Sequence, residues 1–307
     1  MGIKHNYTAT GTNDGAKQVS VDRWNAEHTI DSELILPMVS PSAPAADKVA
    51  IYGKEIASRA MLCQMGPSGL DTTLQAHLGG NKIALWMPPG GSTTVPGVFG
   101  MAALTATGTA TLRAIATTNL LTRMTRLAYV SAATAASLAG AREAVAKYTT
   151  GAGSGLGGFF ARYRFAITDA AAVSGARAFI GLQANTGAPT NVEPSTLVNS
   201  LGVCRLSTSS NLWIYGAGAS AGTPVDLGVN FPANNPNAAY ELALFSPSAG
   251  GGYWQVTRLD TGDVASGTFS VVPLGTVLLC NQLWCTNNAT ALACALDICG
   301  IYIETDY

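Results

Sequence analysis

The chain has 307 residues, and its 17 Lys and Arg against 18 Asp and Glu leave a net charge of −1. That balance supplies no bulk field to hold nucleic acid or an anionic membrane surface. Only 11% of residues are charged, 48% are hydrophobic and 34 are glycine. An average soluble protein is about one quarter charged, so this composition excludes disorder and suits one subunit of an assembly better than a free monomer. The length suggests about two compact units. Charge is uneven between the halves, +3 over residues 1–148 and −4 over 149–307, as expected if they face different surroundings. The opening MGIKHNYTATGTNDG has no apolar h-region, so synthesis in the cytoplasm without a signal peptide is expected. The most apolar stretch, 101–121, is broken by Arg113 and alternates with Thr, which argues against a membrane span.

In chain order, residues 1–36 form a small charged module containing DRWNAEH at 22–28. Residues 37–96 then read as a Pro- and Gly-rich linker with a short β connector: PMVSPSAPAAD carries three prolines, and VAIYGKEIA and RAMLCQM are brief apolar runs separated by turns. A breaker-rich segment, MPPGGSTTVPG at 87–97, marks the next boundary, and 97–307 reads as one β-sandwich. Within it, Leu104, Ala106, Ala110, Leu112, Ala114 and Ala116 share one parity against Thr on the other, predicting a long strand or hairpin with one buried face. The Ala-rich segment 131–148 allows a single helix, with Leu138, Ala141 and Val145 on one face and Ser131 as its cap. Alternation returns in FFARYRFAI (159–167) and YELALF (240–245), and VVPLGTVLLC and ALACALDICGIYI read as strands covered on both sides. Turn clusters between these runs complete a mainly β reading, an antiparallel sandwich.

Catalytic and cofactor motifs are scarce. GSGLGG at 153–158 has the G-x-G-x-x-G spacing but opens a strand rather than a helix, so it reads as a turn. His5, His28 and His77 are too scattered for a metal cluster or an evident triad. Cys280, Cys285, Cys294 and Cys299 follow C-x4-C-x8-C-x4-C without the tight knuckle of a zinc site. Buried thiols acting as small hydrophobes are the expected role, with one disulfide joining Cys280 or Cys285 to Cys294 as the alternative and a metal behind it. No metal or cofactor is expected. Asp226, Glu241, Asp260 and Asp263 are the acids a glycoside hydrolase would draw on, yet acids are few and mostly flank turns, so an enzyme is not expected. Sugar rings dock on flat aromatic faces beside amides and hydroxyls. Trp213, Tyr215, Trp254 and Trp284, with Asn211 and Asn287, are therefore the candidate glycan-binding residues, and core packing is the competing role for each aromatic.

The opening segment, with Gln18, Val19, Ser20, Trp24, Asn25, Ala26 and His28, resembles the N-terminal module of tailed-bacteriophage fibre and virion-appendage proteins. The block PSAPAADKVAIYGKEIASRAMLCQMGPSGLDTTLQ looks like a small β repeat of phage fibres. The distal part is similar to the large C-terminal domain of such proteins, through GLGGFFARYRFAITDAA, NTGAPTNVEPSTL, DLGVNFPAN and DICGIYIETDY. The resemblance implies a jelly-roll or lectin-like β-sandwich, usually trimeric, displayed on the outer surface of the virion without a cofactor. It implies that Gln18, Val19, Trp24, Asn25 and His28 anchor the chain to other virion proteins of the tail, neck or capsid. Host-surface adsorption, most simply to polysaccharide, follows as the expected role. A decoration protein that only stabilises the particle is the first alternative, and a depolymerase the second.

Overall fold

Sequence patterning predicts strands, and a computed structural model describes them over residues 36, 38–45, 48–66, 71–73, 82–153 and 157–305. The virion-anchor residues Gln18, Val19, Trp24, Asn25 and His28 lie outside the described residues. The chain divides into two compact units, Met1–Lys54 with Leu62–Thr73, and Glu55–Met61 with Leu74–Tyr307.

The small sheet comprises β1 (Ala50–Ile56), β2 (Arg59–Met65) and β3 (Asp71–Thr73), in that order. Ala57 and Ser58 join β1 to β2 with positive φ of 51° and 60°, the backbone signature of a two-residue hairpin turn that matches strand twist. Period-2 alternation places Tyr52, Met61, Cys63 and Met65 among the buried residues, while Val49, Ile51 and Leu62 are exposed.

The larger unit is an antiparallel β-sandwich, as the sequence predicts. Its nine-stranded sheet runs β17 (Val264–Thr268), β16 (Tyr253–Arg258), β15 (Tyr240–Ser246), β10 (Phe159–Ile167), β19 (Ala295–Thr305), β4 (Lys82–Trp86) and β5 (Val98–Phe99). β8 (Leu127–Val130) also pairs with β19, and β7 (Thr109–Leu112) pairs with β8. Its seven-stranded sheet runs β14 (Val225–Asp226), β13 (Leu212–Ala217), β12 (Ser200–Arg205), β11 (Arg177–Gln183), β18 (Cys280–Thr286), β9 (Leu138–Arg142) and β6 (Thr105–Thr107). Because β4 pairs with β19 from Lys82 onward, the sandwich begins before the boundary at 97 that composition suggests.

One continuous core fills the space between the sheets. Phe159, Ala161, Tyr163 and Phe165 of β10 share it with Ile180 and Leu182 of β11, Ile214 of β13, Leu242 and Leu244 of β15, and Leu283 of β18. A polar bridge crosses this interface. The Tyr163 hydroxyl on one sheet donates to Asn281 Oδ1 on the other over 2.7 Å, and Asn281 Nδ2 donates to Glu143 Oε2 over 2.6 Å. Glu143 is fully buried, and Lys147 Nζ at 2.6 Å balances its charge. Burial drives the Tyr163 hydroxyl's pKa well above 10.0, with nearby Tyr148 and Glu143 adding to it, so the group stays a proton donor.

The structure corrects several expected elements. Segment 104–117 is no single strand: Gly108, at φ 74°, turns the chain from β6 in one sheet to β7 in the other. The expected buried face is therefore lost, and Leu112 is exposed. Arg113, which interrupts that apolar stretch, pairs with the buried Asp297 at 3.3 Å. The Ala-rich segment 131–148 holds β9 at Leu138–Arg142 instead of a helix, with Val145 exposed. Small residues serve close approach there, since a Cβ on Gly140 would stand 2.2 Å from the Leu283 carbonyl oxygen and 2.7 Å from Trp284 Cα. The short α1 (Leu120–Arg123) carries a capping box from Asn119 and Thr122 and was not foreseen. VVPLGTVLLC is a loop until β18 begins at Cys280, whereas ALACALDICGIYI supplies β19. A register shift between Arg164 and Phe165 against β19 leaves Cys299 as the extra residue there.

Candidate functional site

The outer face of the seven-stranded sheet carries an aromatic row. Cross-strand neighbours run Asp226, Trp213, Cys204, Phe179, Trp284 and Gly140, one from each of β14, β13, β12, β11, β18 and β9. Phe179 and Trp284 lie with ring centroids 6.4 Å apart. Leu197, with the partly buried Val192 and Leu206, packs onto this row and makes it a second small core.

That cover decides the fate of the sequence-derived aromatics. Trp284 is buried in the row, and Tyr215 is buried with its hydroxyl donating to Leu197 O at 2.6 Å and accepting from Gly222 N at 3.1 Å. Burial raises the Tyr215 pKa against the lowering effect of the Gly222 amide. Trp254 belongs to the core between the sheets, facing Gly267, where an added Cβ would meet the indole at 2.8 Å. Asn287 is fully buried and holds a loop: its Nδ2 donates to Ala132 O, Thr134 O and Leu292 O, and its Oδ1 accepts from Ser137 N. Tyr215, Trp254, Trp284 and Asn287 are thus structural residues, which corrects their selection as glycan contacts.

Trp213 and Asn211 remain, and the structure brings them together. Trp213, beside the two-residue edge strand β14, packs against this cluster yet is only part-buried, and Asp226 opposite it is exposed. Trp213 Nε1 donates to Ser209 Oγ over 2.7 Å, and that oxygen also accepts from Asn211 N at 3.1 Å. Asn211 Nδ2 donates to both Asp226 oxygens at 3.2 and 3.3 Å, and Gly228 N donates to Asp226 Oδ1 at 2.9 Å. Val225 and Val229, 53% and 82% exposed, flank this edge. An oriented indole, an amide, a carboxylate and adjacent apolar surface form the kind of set that holds a polyhydroxylated ring, the aromatic covering its C–H face and the polar groups fixing its orientation. Ser209 and Val229 were not among the sequence candidates. Nothing in a two-residue strand signals that Asp226 stands opposite Trp213.

Of the four acids a hydrolase would draw on, Asp226 stands in this site, and the other three are engaged by neighbouring side chains. Glu241 accepts from Arg162 Nη2 at 2.5 Å and from Arg164 Nε at 2.6 Å. Burial raises its pKa, but the two guanidiniums outweigh that and hold it below the usual 4.5, so Glu241 is an ionised structural partner and no proton donor. Asp260 pairs with Arg258 at 2.9 Å, and Asp263 Oδ2 accepts from Thr261 Oγ1. Among the described residues, no group of three or more His, Cys, Asp or Glu is placed to hold a metal ion. All six cysteines are buried, and Cys204, Cys280, Cys285, Cys294 and Cys299 are thiols rather than members of a disulfide. A cavity of about 460 Å³ lies beside Ile83, Ala84, Gly100, Lys147, Tyr148 and Thr305, and Lys147 there is committed to Glu143 and to Gly100 O.

No protein-family profile matches the sequence, and no curated protein matches it. Solved structures with a similar chain path include arcelin-5, a lectin-like defence protein from Phaseolus vulgaris, at 9% identity and TM-score 0.48, covering 74% of this chain and 99% of that one. Lectin I from Ulex europaeus, in complex with the methyl glycoside of α-L-fucose, is 11% identical with TM-score 0.47, covering 74% and 98%. A protein of unknown function from Shewanella oneidensis MR-1 is 16% identical with TM-score 0.46, covering 75% and 89%. Likeness of this degree leaves the chain unassigned to any of these families.

Proposed function

We propose that this chain is a structural protein of a tailed-phage virion, a fibre or appendage whose β-sandwich adsorbs to polysaccharide on the host surface. The resemblance of residues 1–36 to phage anchor modules supports attachment to the particle through that segment. The observation that carries the adsorption role is the sheet edge at β13 and β14, where the part-buried Trp213 stands opposite the exposed Asp226, and Asn211 bonds to that carboxylate. Glu241, Asp260 and Asp263 are committed to neighbouring Arg and Thr side chains, which leaves Asp226 as the one acid of the four at this edge, and a carboxylate without a second acid beside it supports binding without hydrolysis. Low charge and the exposed Ile51 and Leu62 of the small sheet, with Val49 just before it, support a homo-oligomer, most simply a trimer, in which copies cover these side chains.

Burial of Tyr215, Trp254 and Trp284 favours a second reading, a capsid or neck decoration protein whose sandwich stabilises the particle. The two roles separate in one experiment. Excess purified chain added to host cells should compete with adsorption of virions carrying it, and Trp213→Ala chain should not. A decoration protein would give no competition in either case.

A further inference from the structure

We propose that Cys285 and Cys294 are an oxidative modification site, a thiol pair that closes into a disulfide joining the two sheets of the sandwich. Their sulfurs lie 3.3 Å apart in the core. Cys285 sits in β18 of the seven-stranded sheet, and Cys294 immediately precedes β19 of the nine-stranded sheet. A bond between them therefore ties one layer to the other.

The intervening loop is already ordered for closure. Asn287 Nδ2 fastens it to Ala132 O, Thr134 O and Leu292 O, and Cys294 N donates to Ser131 Oγ at 3.0 Å. Such a loop pays little further entropy when its ends are joined. The other cysteines are placed differently. Cys280 Sγ lies 3.3 Å from both Gln183 O and Asn185 O, and Cys204 packs with Phe179 and Tyr215 on the outer face. Cys299 belongs to a separate cluster with Leu121, Ala166 and Ala239. Within the pair the roles are unequal. The contact between the two sulfurs lowers the pKa of Cys294 and, together with burial, raises that of Cys285. Cys294 is accordingly the attacking sulfur.

With a small-molecule disulfide such as oxidised glutathione as oxidant, the Cys294 thiolate attacks one glutathione sulfur and releases a glutathione thiolate. Cys285, losing its proton, then attacks Cys294 Sγ and expels the second. Two protein thiols become one disulfide and one oxidised glutathione becomes two reduced ones, so atoms and electrons balance. Both sulfurs are buried, so entry of the oxidant requires opening of the solvent-facing 288–293 segment, and oxidation should be slow.

The test uses the full chain, reduced and then equilibrated with oxidised glutathione, followed by alkylation under denaturing conditions and mass mapping. No Lys or Arg follows Arg258, so tryptic cleavage leaves four cysteines on one fragment, whereas chymotryptic cleavage after Trp284, Leu292 and Leu296 separates them. The expected product is a linked pair of peptides holding Cys285 and Cys294, lighter by two hydrogens than the free pair, with Cys63, Cys204, Cys280 and Cys299 still alkylated. Oxidised chain should also melt roughly 5–10 °C higher than reduced chain, the shift expected for closing a loop of about ten residues. Cys294→Ala should abolish that shift. Linkage through any other pair, a stable glutathione adduct at Cys294, or an unchanged melting temperature in chain shown to be linked would overturn the proposal.

Discussion

Replacing Tyr163 by Phe removes one hydroxyl from the centre of the sandwich and leaves its packing otherwise intact. The group lost donates to Asn281 Oδ1 at 2.7 Å across the two sheets. Its partner atom is buried and would be left without that donor, a cost of about 1–3 kcal/mol. Asn281→Leu should cost more, about 3–5 kcal/mol, because it strips the Nδ2 donor at 2.6 Å from the buried Glu143 carboxylate and also orphans the Tyr163 hydroxyl. The double variant leaves no orphan between the two side chains, so its cost should fall short of the sum by about 1–2 kcal/mol. Urea unfolding by linear extrapolation measures all four chains, with m unchanged if only the native state is affected. Additivity within about 0.5 kcal/mol would refute the inter-sheet bridge.

Three further outcomes follow from the same structure. Glu241 is held below its usual 4.5 by Arg162 and Arg164, so its contribution is fully present above that pH and is lost as pH falls through the depressed value; Glu241→Gln should flatten the acid limb of a melting-temperature profile below about pH 5. Gly140→Val should destabilise by about 1–3 kcal/mol or more, since the atoms its Cβ would meet are Leu283 and Trp284 backbone that cannot swing away; calorimetry showing no loss would contradict the close packing of β9 on β18. A chain lacking residues 1–36 should fail to incorporate into virions, and normal occupancy by immunoblot would remove the anchor assignment.

What could be read from the chain depended on how directly each residue's neighbours follow from its own segment. FFARYRFAI announced β10 because both the core face and the Arg162 and Arg164 face belong to one uninterrupted strand. The Thr- and Ala-rich run at 104–117 misled because Gly108 moves the chain between sheets and resets the parity within it. Alanines at 132–146 suggested a helix, whereas residues 138–142 form β9, and Gly140 there must lie close to β18, a demand made by Trp284 some 140 residues away. Candidate aromatics were equally dependent on distant partners. Trp213 and Tyr215 share one face of β13, but the segment carrying Leu197 covers Tyr215 while the short edge strand leaves Trp213 part open. Asp226 joined the site only through its register opposite Trp213.

Binding of purified bacterial surface polysaccharides to the immobilised full chain tests the adsorption role most directly. Each site should bind weakly, because sugar hydroxyls exchange water for protein hydrogen bonds at a net gain of only about 0.5–1.5 kcal/mol each, and an oligomer should gain avidity on a repeating polymer. Trp213→Ala should lose that binding while the chain stays folded, at some cost in melting temperature, and keeps the oligomeric state of the parent chain. Undiminished binding by Trp213→Ala, or no binding by the parent chain to the polysaccharide of any host that its virion adsorbs to, would contradict a glycan site at the β13–β14 edge.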